Sequence, residues 1–330
     1  MRRILRVISI CSTLPLLVAA SLLALPGRGT LYGTDGRNGN LLTVDPTTGA
    51  GTLVGSIAGG IQIRSLAVDP ATGILYAGTG GSQALLYRVD PTTGLGTLVS
   101  DTGLGKAMIS GMDFAPDGRL YASVNLTGSG GTGGDHLAII DSATGVATVV
   151  GSFGTCTGVA IPSTGTGSCT IEGIEGLAFD PHGVLWGVLR GSGVSVGAPG
   201  LYRISRFSGQ ASFEVPVQDA LGNDVLVTSL QFSCGGTLYA GTGGAGTPTA
   251  SPLPVPPSLH VGFLATIDPT TGKLAYVGAS SATGGLQDLS GLAFAVGCGV
   301  TQIPALDPLA LVLLGLLLAA AGWFALARCS

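Results

Sequence analysis

The chain has 330 residues, of which 57 are glycine, 45% are hydrophobic and only 10% are charged, against a globular norm of about 25% charged. That much apolar content excludes disorder for most of its length, and a net charge of −4 with 14 Lys+Arg excludes nucleic acid as a partner. The length allows one large or two ordinary domains.

Residues 1–27 open on Met1-Arg2-Arg3 and Arg6, run apolar to about Leu25, and carry the small residues Val18-Ala19-Ala20. A basic start, an apolar core and a small-residue site predict a secretory signal peptide, cleaved near Ala20 or Ala24.

The body, residues 29–299, repeats itself. One phrase, strand A, reads S/G-L/M-x-F/V: Ser65–Val68, Gly111–Phe114, Gly176–Phe179, Ser229–Phe232 and Gly291–Phe294. Turns at 69–73, 115–118, 180–183 and 233–236 follow the first four. Strand B then carries one aromatic each time, Tyr76, Tyr121, Trp186 or Tyr239, and Tyr32 plays that part first in the chain. Strand C (41–44, 85–89, 137–140, 201–204, 263–267) enters a second turn typified by Asp90-Pro91-Thr92-Thr93-Gly94, and strand D leaves it. Short apolar strands joined by Asp/Pro/Gly turns are hairpins, and four strands repeated radially make a blade. The first unit has B, C and D but no A; the last is an A alone. The predicted fold is therefore all-β, a five-bladed β-propeller closed by a C-terminal strand, with residues 290–296 beside residues 30–35.

Strand parity separates the two faces. The A–B and C–D turns share one, here the turn face; the B–C and D–A connections, which vary most in length, share the loop face. Ligands are expected on the variable loops. The residues entering the A strands, Arg64, Ser110, Glu175, Thr228 and Ser290, are expected to ring the channel mouth there as a ligand site. Asp45, Asp69, Asp90, Asp141, Asp180 and Asp268 begin turns, where aspartate caps the backbone. His136, His182 and His260 lack zinc-ligand spacing, so no metal site and no cofactor is expected. Glycoside hydrolysis needs two or three convergent carboxylates, for which Asp113, Glu172, Glu175 and Asp288 are the candidates. Cys156, Cys169, Cys234 and Cys298 suit disulfides in an oxidising compartment, with Cys156–Cys169 and Cys234–Cys298 the expected pairs.

Residues 303–330 close the chain. Leu309 to Ala327 is an uncharged apolar run long enough for one transmembrane helix, followed by Arg328. With Ile303, Pro304, Ala305 and Leu306 before it, this tail resembles the IPTL-CTERM sorting signal of Gram-negative bacteria. Ala305 stands where that family has threonine. The resemblance implies processing by an exosortase-type transpeptidase. The body resembles a generic propeller of the YVTN- and NHL-type repeat class. The expected protein is exported, held at the inner membrane with a periplasmic propeller or sorted onward to the cell surface or extracellular matrix. There it acts as a non-catalytic binding or structural module toward a glycan or surface protein. The alternative is a carbohydrate-active enzyme using the channel-mouth carboxylates.

Overall fold

The computed structural model describes residues 29–81, 83–105, 107–126, 135–156, 169–189, 198–243, 262–280 and 288–295. The expected signal peptide, transmembrane helix and sorting motif lie outside them. No helix among the described residues is long and apolar enough to cross a membrane.

In chain order the strands are β1 (Leu31–Asp35), β2 (Asn40–Val44), β3 (Gly51–Ser56), β4 (Ile63–Val68), β5 (Leu75–Thr79), β6 (Leu85–Val89) and β7 (Gly96–Asp101). There follow β8 (Met108–Phe114), β9 (Leu120–Asn125), β10 (Asp135–Ile140), β11 (Ala147–Ser152), β12 (Thr155–Cys156) and β13 (Cys169–Thr170). The remainder are β14 (Ile174–Phe179), β15 (Leu185–Leu189), β16 (Gly200–Ile204), β17 (Ala211–Val215), β18 (Val227–Phe232), β19 (Leu238–Thr242), β20 (Phe263–Ile267), β21 (Leu274–Ala279) and β22 (Leu289–Phe294).

They form five four-stranded antiparallel sheets. The first has the order β22-β1-β2-β3; the others are β4 to β7, β8 to β11, β14 to β17 and β18 to β21. The inner strands touch in the cycle β22, β4, β8, β14, β18 and back to β22, which closes the ring. The closing strand pairs as the repeat count requires, Leu31 opposite Phe294 and Thr34 opposite Gly291. The body is thus a five-bladed propeller. The hairpin β12-β13, inside a predicted loop, sets Cys156 directly opposite Cys169 on the backbone. No disulfide is shown among the described residues; Cys234 is exposed, and Cys298, with the second expected pair, lies outside them.

Each strand-B aromatic packs on the last residue of the next blade's inner strand. Tyr76 meets Phe114 at 5.7 Å, Tyr121 meets Phe179 at 5.5 Å, Trp186 meets Phe232 at 6.4 Å and Tyr239 meets Phe294 at 5.6 Å between ring centroids. Such pairs contribute about 0.5–1.5 kcal/mol each beyond their buried area. At the fifth interface Tyr32 and Val68 share one apolar cluster. The blades are sewn at the outside too. Gly96 N donates to Ile57 O at 2.8 Å, Ala147 N to Thr102 O at 3.0 Å, Ala211 N to Phe153 O at 2.9 Å and Leu274 N to Gln218 O at 2.8 Å. The C–D turns therefore do not stand free on the turn face; each abuts the end of the preceding blade's outer strand. Gly94 shows why glycine is needed there: its φ is +78°, and a Cβ would lie 2.7 Å from Gly55 Cα.

Candidate ligand site at the loop-face mouth

Every inner strand carries a β-bulge at the same place. The pairing skips from Ile63 to Ser65, Ile109 to Gly111, Ile174 to Gly176, Val227 to Ser229 and, on β22, from Leu289 to Gly291. The skipped residues are Arg64, Ser110, Glu175, Thr228 and Ser290, the five singled out from the sequence. A bulge leaves its extra residue outside the ladder and re-aims its side chain.

Those five are not equivalent. Arg64 and Glu175 reach each other across two blades, Nη1 to Oε2 at 3.6 Å, and Arg64 Nη1 also lies 3.9 Å from Asp288 Oδ2. Asp288 is fixed from the other side, because Gly36 N donates to its Oδ1 at 2.9 Å. The arginine lies flat over Gly80, where a Cβ would meet Arg64 Cγ at 2.5 Å. Thr228 is used internally, its hydroxyl donating to Leu289 O at 3.0 Å and Gly241 O at 3.2 Å. Ser110 and Ser290 are buried, and Ser290 Oγ has no hydrogen-bond partner among the described residues.

Two further carboxylates, Asp35 and Asp135, belong to the loop-face end and were not singled out from the sequence. Both are buried, at the end of β1 and the start of β10. Asp135 Oδ2 accepts from Gly173 N and from Ile174 N, the latter at 3.1 Å. Burial pushes its acid up to about 7; the Gly173 bond works against the shift, and the nearby charges of Glu175 and Glu172 add to it. The oxygens Asp35 Oδ1 and Asp135 Oδ1 have no partner among the described residues. The sequence signal was weak: each is one more aspartate at a strand end in a chain full of turn aspartates.

Asp113 is elsewhere. It lies three residues beyond its strand's bulge, about 10 Å along the strand, near the turn face. Between the two ends the inner strands close together. A Cβ on Gly111 would meet Leu177 N at 2.7 Å, one on Gly176 would meet Leu230 N at 2.7 Å, and one on Gly291 would meet Leu66 N at 3.0 Å. At the other two interfaces the same position is serine. Ser65 Oγ donates to Ile109 O at 3.2 Å, and Ser229 Oγ to Leu289 O at 2.8 Å. Where strand A has Gly111 or Gly291, a strand-B hydroxyl takes over: Ser123 Oγ to Ile174 O at 2.7 Å and Thr34 Oγ1 to Ile63 O at 3.3 Å. Next to Gly176 the partner is Val188, which packs with Val227 and Leu230 instead. The four carboxylates considered for glycoside hydrolysis are therefore divided between two ends of a pinched channel.

The turn aspartates behave as turn chemistry requires. Asp45, Asp90, Asp141 and Asp268 accept backbone N–H groups two residues on, at 2.7–2.9 Å, and hydrogen bonds from the turn hold all four acids below the ordinary range. Asp69 and Asp180 accept in the same way from Ala71 and His182, at 2.9 Å each. His136 lies on β10 and His182 in a turn; His260 lies outside the described residues. Among the described residues no group of three or more His, Cys, Asp or Glu could hold a metal ion.

No family model matches the chain, and no curated protein matches it. Many solved structures match the chain at low sequence identity. A gluconolactonase from Xanthomonas campestris is 13% identical, with 75% of this chain and 71% of that one covered, at a TM-score of 0.45. A luciferin-regenerating enzyme is 11% identical, covering 75% and 71%, at 0.43, and a chain of a nidogen/laminin complex is 12% identical, covering 81% and 98%, at 0.43. Likenesses this distant carry no functional argument, and the blade count rests on the strand pairing.

Proposed function

We propose that the chain is an exported, non-catalytic binding module whose ligand site is the loop-face mouth of the channel. The observation that carries this reading is the bulge repeated in all five inner strands, which sends Arg64 and Glu175 to one spot with Asp288 beside them. A planar guanidinium flanked by carboxylates suits a polyhydroxylated ligand, since each group makes paired, directional hydrogen bonds to neighbouring hydroxyls. The ligand class we favour is therefore a glycan. A carbohydrate-active enzyme is not favoured: Arg64 holds Glu175 and Asp288 in ion pairs, and Asp113 lies at the far end of the channel.

The same proposal places the protein at the membrane through residues 303–330. There the Ile303–Leu306 motif, with Ala305 at its third position, is read by an exosortase-type enzyme for delivery to the surface or matrix. Cys156 and Cys169, facing each other across β12 and β13, form a disulfide in this setting, and Cys234 and Cys298 form the second. Non-reducing peptide mapping of protein from the cell envelope tests both pairs and cleavage at the tail. A glycan-binding screen on the full chain tests the site. Binding that is lost in Arg64→Ala and Glu175→Gln supports it; no binding, or binding that survives both changes, refutes it.

A further inference from the structure

The turn-face end of the channel holds a second recess, small and open to solvent, with a cavity volume of about 30 Å3. It is lined by Asp113 and Gln231, by Phe114, Phe179 and Phe294, and by residues of the A–B turns. Asp113 and Gln231 occupy the next-to-last position of β8 and β18; the equivalent residues on the other three inner strands are Ala67, Ala178 and Ala293. Three alanines leave the space and two polar side chains supply the chemistry.

We propose that this recess binds a primary ammonium group, held by the Asp113 carboxylate and the Gln231 amide oxygen within the rim of Phe114, Phe179 and Phe294. Asp113 is buried and accepts from Phe114 N at 2.9 Å and Phe179 N at 2.7 Å. Two backbone donors leave lone pairs unused on a carboxylate, which has about four acceptor sites. No lysine or arginine pairs with it among the described residues. A buried carboxylate without a cation is costly, so a cation that fits the recess gains a preformed counter-charge. One Nε2 hydrogen of Gln231 goes to Phe232 O at 3.3 Å, and the amide oxygen serves as the acceptor. The aromatic rim suits a cation better than a neutral donor.

Burial pushes Asp113 up to about 7, against the pull of its two backbone bonds. Binding of a cation must then displace a proton at lower pH. The other titratable group on the wall, Asp180, is engaged by His182 N and Val184 N, both at 2.9 Å, and by Trp186 Nε1 at 3.2 Å.

Calorimetry on the full chain tests the site with n-butylammonium, with acetyl-Gly-Lys-Gly-amide and with 1-butanol, at pH 5.5 and 8. Expected are saturable binding of an ammonium probe, about tenfold or more tighter at pH 8, none for the alcohol, and loss in Asp113→Asn. Binding of both ammonium probes identifies a free amine as sufficient; binding of the peptide alone identifies a lysine side chain on a partner chain. The pH and alcohol comparisons need no variant, and Gln231→Leu, which keeps the carboxylate, should weaken binding without abolishing it. Equal binding at the two pH values, equal binding of the alcohol, or no binding of either ammonium probe overturns the proposal.

Discussion

Removing one hydroxyl from the inner ring tests how the blades are joined. Ser123 is fully buried, and its Oγ donates at 2.7 Å to Ile174 O, on the neighbouring blade and 51 residues away in sequence. Ser123→Ala keeps the Cβ, introduces no clash and leaves a buried carbonyl without that donor. Such a loss costs about 1–3 kcal/mol. For a domain of this size that corresponds to a melting point lower by roughly 2–10 °C. A matched control is Ser100→Ala, which removes an equally ordinary hydroxyl bond, to Asp101 O at 2.9 Å, from the exposed rim. It should change stability by no more than about 0.5 kcal/mol. The assay is urea unfolding followed by circular dichroism and tryptophan fluorescence, with heating as a second measure. If Ser123→Ala and Ser100→Ala unfold at the same urea concentration, the hydroxyls are not what joins the inner strands.

Gly94→Ala meets both a positive φ and the Gly55 backbone, whereas Gly73, at φ +72°, has nothing within 4 Å of a would-be Cβ. Gly73→Ala should cost about 1–2 kcal/mol from the backbone alone and Gly94→Ala clearly more, and equal unfolding midpoints would contradict the outer contact. Asp113 and Asp135 have acids raised to about 7 from 3.8. The folded state then keeps protons that the unfolded chain has released, so stability should fall as pH rises from about 4 through 7 and level off above. Asp45, Asp90, Asp141 and Asp268 act oppositely, their contribution being lost below the ordinary carboxylate range. Urea midpoints from pH 3 to 8 should therefore peak on the acidic side of neutrality, and a midpoint that climbs steadily to pH 8 would refute the assignment.

Much of the architecture could be read from repetition. The S/G-L/M-x-F/V phrase, the strand-B aromatic and the DPxTG turn each mark a unit, and the missing first strand A predicted the closure between Leu31 and Phe294. The reasons behind the phrase were not legible. Serine stands at Ser65 and Ser229, where its hydroxyl reaches the neighbouring blade, and glycine at Gly111, Gly176 and Gly291, where that blade's backbone comes close, a choice that depends on the neighbouring blade. The bulge residues were located by their place in the repeat, yet a bulge itself leaves no mark in an apolar pattern. Asp35 and Asp135 were missed because burial, not residue type, separates them from the exposed turn aspartates. The Arg64–Glu175 contact joins residues 111 apart and only the closed ring brings them together.

The closing strand also sets the order in which the molecule can be finished. A ribosome delivers β1, β2 and β3 early, but their innermost neighbour arrives only with residues 289–294. Joining Leu31 to Phe294 closes a loop of 263 residues, an entropic cost of roughly 5 kcal/mol on the (3/2)RT ln n scale. Until that happens β1 presents an unpaired edge and β4 has no inner neighbour on one side. The first part of the chain to be synthesised is therefore the last to become a complete sheet.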